Sequence, residues 1–184
     1  CESLCTYCGC NTRITVNHNV EVPYIKALLR EWSLYLSLFD TVPHIKEIHL
    51  GGGTPTFFKP ENLAQLLETI LSTSILCSDA ELSFEAHPNN TTDKHLQLLY
   101  DLGFRRLSLG IQDFDEKVQH IIHRIQSYEA VMHVTEQAIK IGYTSINYDL
   151  IYGLPLQTED SILQTIKKVI KLGPVLPVVA SLIG

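Results

Sequence analysis

The chain has 184 residues, 45% of them hydrophobic, which is enough to bury one core and to be treated as a single domain over residues 1–184. Its net charge of -6 is spread along the sequence without a basic stripe, so there is no electrostatic footprint for nucleic acid. No apolar run is long enough for a membrane span and the start lacks a secretory signal pattern, so a cytoplasmic, reducing setting and a monomer are expected.

The first element is a cluster of thiols. Cys1, Cys5 and Cys8 form a C-x3-C-x2-C run and Cys10 follows, so four of the five cysteines fall within ten residues. Three thiolates on one short loop can hold three irons of a [4Fe-4S] cluster and leave the fourth iron open to a ligand. A structural zinc asks for four ligands, usually as two separated pairs, and a disulfide framework asks for cysteines spread along the chain. The spacing favours the iron-sulfur site, with zinc and redox thiols as open alternatives. The fifth cysteine, Cys77, stands alone and reads as a small core or surface residue. The chain opens on Cys1 without an initiating methionine, so a preceding segment is expected.

From Val22 to Phe39 apolar residues recur at three to four residue spacing, which predicts a helix packed on a sheet. A strand over His44 to Leu50 ends in Gly51-Gly52-Gly53-Thr54-Pro55, and Pro60 suits the first position of the next helix, through Ile70. Ala80 to Ala86 alternates as a strand that His87-Pro88 ends, and Asn90 to Asp93 supplies N-cap chemistry for a helix closed by Gly103. A strand over Arg106 to Ile111, a short helix from Asp115, a helix over Tyr128 to Ile141, a strand over Ser145 to Tyr152 and a helix over Glu159 to Leu172 follow. The apolar Val178 to Ile183 stretch reads as a strand cut short.

Alternation of this kind predicts an α/β fold with parallel strands, whose C-terminal ends share one edge. That edge is where barrels and open sheets place their sites. A full eight-fold barrel needs roughly 250 residues, so an incomplete parallel (βα) barrel, truncated at both ends, with four to five visible units is expected.

The strand ends carry the candidate chemistry. Three consecutive glycines, Gly51 to Gly53, exceed what a tight turn needs and allow a ligand to approach bare backbone. Glu85, Gln112, Asp113 and Asp149 lie at or near strand ends, where a solitary acidic residue is more often a solvated charge or a helix cap. For Arg124 a surface salt bridge and bidentate capture of a carboxylate weigh equally. His18, His44, His49, His95, His120 and His133 lack ligand spacing and are expected to be structural or exposed.

These motifs resemble a known family. The C-x3-C-x2-C run with Tyr7 before the third cysteine, followed by a glycine-rich loop, looks like the radical S-adenosylmethionine (SAM) superfamily. Cys8-Gly9-Cys10-Asn11, Gly51 to Thr56, Gly110 to Phe114 and Asp149 to Pro155 are similar to the oxygen-independent coproporphyrinogen III oxidases within it. The resemblance runs from Cys1 to about Leu172. It implies a [4Fe-4S] cluster held by Cys1, Cys5 and Cys8, a first SAM lined by Tyr7, Gly52 and Glu85, and a second SAM beside Gly53, Thr54, Gln112, Arg124 and Asp149. It further implies an electron donor and oxidative decarboxylation of two propionates of coproporphyrinogen III to vinyl groups. The related haem chaperones share most of these motifs but typically lack the cysteine after Cys-Gly, so Cys10 favours the oxidases. Cys10 matches the family's fourth cysteine, which is not a cluster ligand. The aliphatic stretch from Val175 departs from the polar strand the family carries there, and the piece is expected to be inactive alone.

Overall fold

Five strands form one parallel sheet in sequence order, β1 (His44–Leu50), β2 (Ile75–Ala86), β3 (Arg106–Gln112), β4 (Ser145–Tyr152) and β5 (Leu176–Ser181). The computed structural model describes residues 1–173 in full and the backbone of 176–181. The expected tail strand over Val178 to Ile183 is met by β5 as far as Ser181, and its last residues lie outside the described ones. Six helices join these strands: α1 (Glu21–Leu36), α2 (Pro60–Ser72), α3 (Asp93–Asp101), α4 (Glu116–Ile121), α5 (Tyr128–Ile141) and α6 (Glu159–Lys171). This is the expected α/β alternation, an open parallel arrangement consistent with part of a barrel.

The helix boundaries follow local chemistry. Pro60 opens α2, and Thr92 caps α3 through a reciprocal capping box with His95, so His95 is structural as expected. Asp115 caps α4 by accepting from the amides of Lys117 and Val118. Gly103 and Gly142 end α3 and α5 with φ of 99° and 114°, in the region that a Cβ disfavours.

Two expectations are corrected. Helix α1 stops at Leu36 rather than Phe39 and packs against α2; it buries Ile25 and leaves Leu34 and Tyr35 exposed, with Leu38 exposed beyond its end. Strand β2 begins at Ile75, five residues before the alternation does, because its early part pairs with β1 on the far side of a register shift between Ile45 and Glu47.

The sheet has two unlike faces. Leu82, Phe84, Ala86, Leu107, Leu109, Ile111, Ile146, Tyr148 and Leu150 are buried against Leu63 and Leu67 of α2, Leu96 and Leu99 of α3, Val131 and Val134 of α5 and Val169 of α6. Each fully buried large side chain stabilises the fold by about 1.5–3 kcal/mol. The alternating residues Ser83, Glu85, Ser108, Asn147 and Asp149 face the other way and are half-buried. Parallel sheets are normally covered on both sides, so a polar face at this depth is a departure that a site explains. Among the described residues no helix is long and apolar enough to cross a membrane.

Candidate functional site at the strand ends

The thiol loop is fastened across the C-terminal edge of the sheet. The Thr6 amide and hydroxyl donate to the carbonyls of Ile122 and Ile121 at 3.0 and 3.3 Å, and the Ser3 hydroxyl donates to the His123 carbonyl at 3.1 Å. The Thr15 amide closes the loop on the Cys1 carbonyl at 2.9 Å, and Tyr7 packs on Val118, Ile122, Ile151 and Leu154. The exit of the loop is anchored by Glu21, fully buried, which accepts from the Lys59 amide at 2.8 Å and Asn62 at 2.7 Å and pairs with His18. Burial pushes the Glu21 carboxyl up, but these hydrogen bonds outweigh it and hold it below the usual range.

Cys1, Cys5 and Cys8 line one cleft of about 840 Å³, together with Tyr7, Gly53, Thr54 and Arg124. Cys1 Sγ lies 3.2 Å from Thr54 Oγ1, and Cys5 Sγ lies 3.9 Å from both the His123 carbonyl and Arg124 Nη1. Among the described residues no three His, Cys or acidic side chains converge closely enough for a single metal ion. The three thiols nonetheless line the same cleft, where three thiolates can hold three irons of one cluster.

A second cavity of about 160 Å³ adjoins the cleft. Tyr7, Gly52, Gly53, Thr54, Glu85, Gln112, Arg124 and Asp149 all line it, so every residue singled out for cofactor binding reaches one place. The sheet explains the convergence: Glu85 pairs with Ser108 in register and Gly110 with Asp149, on neighbouring strands. A register shift between Gly110 and Gln112 carries Gln112 round the end of β3 at φ 65°, a conformation a non-glycine residue holds only when its surroundings enforce it.

Those surroundings are supplied by Asp113. Grouped with the rim acids in the sequence, it is instead fully buried, accepting from the Asp115 amide at 2.8 Å, the Thr165 hydroxyl at 2.6 Å and Gln157. It ties the end of β3 to α6 and to the loop after β4. Among the described residues Arg124 forms no salt bridge; Nη2 donates to the Gly110 carbonyl at 2.7 Å.

The cavity brings two carboxylates and one guanidinium together. Burial pushes the Asp149 carboxyl up, the Ser108 hydroxyl pulls it down, Glu85 raises it and Arg124 lowers it. Burial likewise raises the Tyr7 phenol, against the opposing pull of Arg124. His87, which lines both cavities and was not singled out from the sequence, is held neutral: burial, with Arg124 adding, lowers it to about 3. Its only signal was its place directly after a strand end. Cys10 also lines the smaller cavity, and a hydrogen bond with Cys8, with burial adding, raises its thiol.

The donor set fits a cluster and a charged organic ligand. A Cβ on Gly53 would stand 2.8 Å from Thr12 Oγ1 and 3.3 Å from Cys1 Sγ, so the loop is bare where it meets the thiols. Arg124 Nε is buried without a partner among the described residues, a donor left unused. Two carboxylates and one guanidinium beside exposed backbone can take a zwitterion and a ribose.

The chain is similar to known proteins. The radical SAM superfamily model matches residues 1–169. The chain is 43% identical over 175 residues to oxygen-independent coproporphyrinogen III oxidase of Helicobacter pylori strain J99, covering 95% of this chain and 38% of the relative. It is 38% identical over 174 residues to the enzyme of that name from Escherichia coli K12, again covering 95% and 38%. The solved structure of coproporphyrinogen III oxidase from Escherichia coli, described as a radical SAM enzyme, superposes with a TM-score of 0.92 at 37% identity over 98% of this chain and 42% of that one. Methylornithine synthase, at 14% identity and a TM-score of 0.62, shares the fold alone. The chain thus spans about 38% of the length of the curated relatives it matches. Because the likeness takes in the thiol loop, the strand order and the rim together, the chain belongs to the radical SAM superfamily, whose cofactors are a [4Fe-4S] cluster and S-adenosylmethionine.

Proposed function

We propose that this chain is part of an enzyme that oxidatively decarboxylates two propionates of coproporphyrinogen III to vinyl groups, giving protoporphyrinogen IX, in the cytoplasm. The observation that carries this reading is the convergence of three thiols and eight rim residues on two adjoining cavities, on a backbone like that of a coproporphyrinogen III oxidase. Cys1, Cys5 and Cys8 hold the cluster. Tyr7, Gly52 and Glu85 line a first SAM, and Gly53, Thr54, Gln112, Arg124 and Asp149 line a second. A cluster held by Cys1, Cys5 and Cys8 with SAM beside it would, given an electron donor, supply the one-electron chemistry needed to oxidise a propionate.

The protein's own residues orient and exclude. Arg124 offers a guanidinium to a ligand carboxylate, Glu85 and Asp149 accept from the ligand's ammonium and hydroxyl groups, and Tyr7 is held in place beside them by its packing on Val118, Ile122, Ile151 and Leu154. The chain spans about 38% of the length of the curated relatives it matches, and on this reading it is inactive by itself and monomeric.

The test is anaerobic reconstitution with iron and sulfide, followed by assay of SAM cleavage under a chemical reductant. About four irons per chain and reductive cleavage are expected; zinc bound with no iron uptake would overturn the cluster assignment. Full-length protein is then assayed for coproporphyrinogen III turnover and titrated with haem. Haem binding without turnover would replace the oxidase reading with a haem chaperone.

A further inference from the structure

Arg124 is the one guanidinium in a cavity with two carboxylates, Glu85 and Asp149, yet it pairs with neither. A free arginine beside two half-buried carboxylates would fold onto one of them. What restrains it is the backbone of β3. Arg124 Nη2 donates to the Gly110 carbonyl at 2.7 Å, and Gln126 Nε2 donates to the same oxygen at 3.1 Å and to the Ile111 carbonyl at 2.6 Å. Gln126 is itself gripped: its amide donates to Gln119 Oε1 at 3.2 Å, and Gln119 Nε2 donates to the carbonyls of Gln126 and Asp113, each at 2.9 Å. Both glutamines are buried, so the grip is made away from competing water.

Gly110 matters for space. A Cβ there would stand 2.6 Å from Arg124 Nη2 and 2.7 Å from Gln112 Nε2, so the guanidinium lies where any other residue would place its side chain. Its backbone is not in the left-handed region, so what a Cβ would change is space: it would push aside the ends of the Arg124 and Gln112 side chains.

We propose that Gly110 and Gln126 are positioning residues for Arg124, holding its guanidinium off Glu85 and Asp149 so that it stays open to the carboxylate of an incoming ligand. The ligand part rests on the reading of Arg124 as a SAM contact; the positioning part does not. Gln126 fixes the carbonyl, and Gly110 vacates the room above it. The short segment between α4 and α5, with His123 at φ 55°, delivers Arg124 to that point.

The experiment has two arms on the full-length, cluster-loaded protein, with iron content and circular dichroism checked for each variant. In the first, without SAM, the rate at which phenylglyoxal modifies Arg124 is followed by peptide mass spectrometry. Gly110→Ala and Gln126→Leu are each expected to change that rate severalfold, and an unchanged rate in both overturns the positioning role. In the second, SAM affinity is measured by equilibrium dialysis in a double-mutant cycle. Gly110→Ala is expected to weaken binding roughly tenfold in the parent but less than about twofold in Arg124→Ala. Equal losses in both backgrounds overturn the proposed route through Arg124. If Arg124→Ala binds SAM as the parent does, the assignment of Arg124 as a ligand contact fails, and the first arm still decides positioning.

Discussion

The hydroxyl of Ser108 on β3 lies 2.9 Å from each carboxylate oxygen of Asp149 on β4, so the raised carboxyl of the cavity is moderated by a neighbour across the strand pair. Ser108→Ala removes the one hydrogen bond that opposes its burial. The apparent pKa of Asp149 should rise further, as read by carboxyl carbon NMR. A carboxyl raised above its unfolded value of 3.8 binds an extra proton when folded, so its contribution to stability is lost as pH rises through the folded value. The variant should therefore be less stable than the parent at neutral pH, by roughly 1.5 kcal/mol in urea unfolding. Equal stability would show that the hydroxyl leaves the charge unsupported.

Gly53→Ala should disturb the thiol loop. The added Cβ meets Thr12 Oγ1 at 2.8 Å and Cys1 Sγ at 3.3 Å, and overpacking of this kind costs about 1–3 kcal/mol. Iron retained after anaerobic reconstitution should fall, and pairing the change with Thr12→Ala should recover part of it by clearing the nearer contact. Full iron uptake by the single variant would refute the close approach.

Asp113 should matter more for stability than its place among the rim acids suggests. Asp113→Ala leaves the Thr165 hydroxyl, the Asp115 amide and the Gln157 amide without their acceptor in a dry setting, at a cost of about 3 kcal/mol or more. Thr165→Val isolates one of those bonds and should cost about 1.5 kcal/mol. Both are read from urea midpoints.

His87 gives an acid-limb prediction. Its folded value of about 3 lies below the ordinary 6.5, so between those pH values the unfolded chain carries the extra proton. Its contribution is fully present above 6.5 and drains away as pH falls towards 3. Relative to His87→Gln, the parent should take up about one more proton on unfolding near pH 5, visible as a steeper fall in urea midpoint with acidification. Parallel curves would mean that the imidazole is not shielded.

Much of this was readable from the chain. Tyr128 to Ile141 and Ser145 to Tyr152 have the expected bounds, because their periodicity and caps are local. Six of the eight rim residues converge because parallel alternation sends strand ends to one edge, while Tyr7 arrives on the thiol loop and Arg124 on the segment between α4 and α5. What escaped depends on distant partners. Ile75 and Leu76 do not alternate with burial and become strand by pairing with His44 and Ile45. The exposed Phe39 lies beyond the end of α1, which finds its partner in α2. Asp113 looked like Asp149 in sequence, and only the approach of α6 makes one a buried hub and the other a cavity wall. His87 carried no spacing signal, and the restraint on Arg124 runs through a carbonyl, which no side-chain pattern announces.

The two unlike faces of the sheet separate two kinds of mutational consequence along each strand. At Leu107, Leu109 and Ile111, or at Ile146, Tyr148 and Leu150, a substitution alters the helix-facing packing and is felt in whether the protein folds. At Ser108 and Gly110, or at Asn147 and Asp149, the neighbouring positions change what the rim can hold while the core remains sealed behind them. Variation on the polar face can therefore alter what the rim holds at a smaller cost to the core than variation on the helix-facing side.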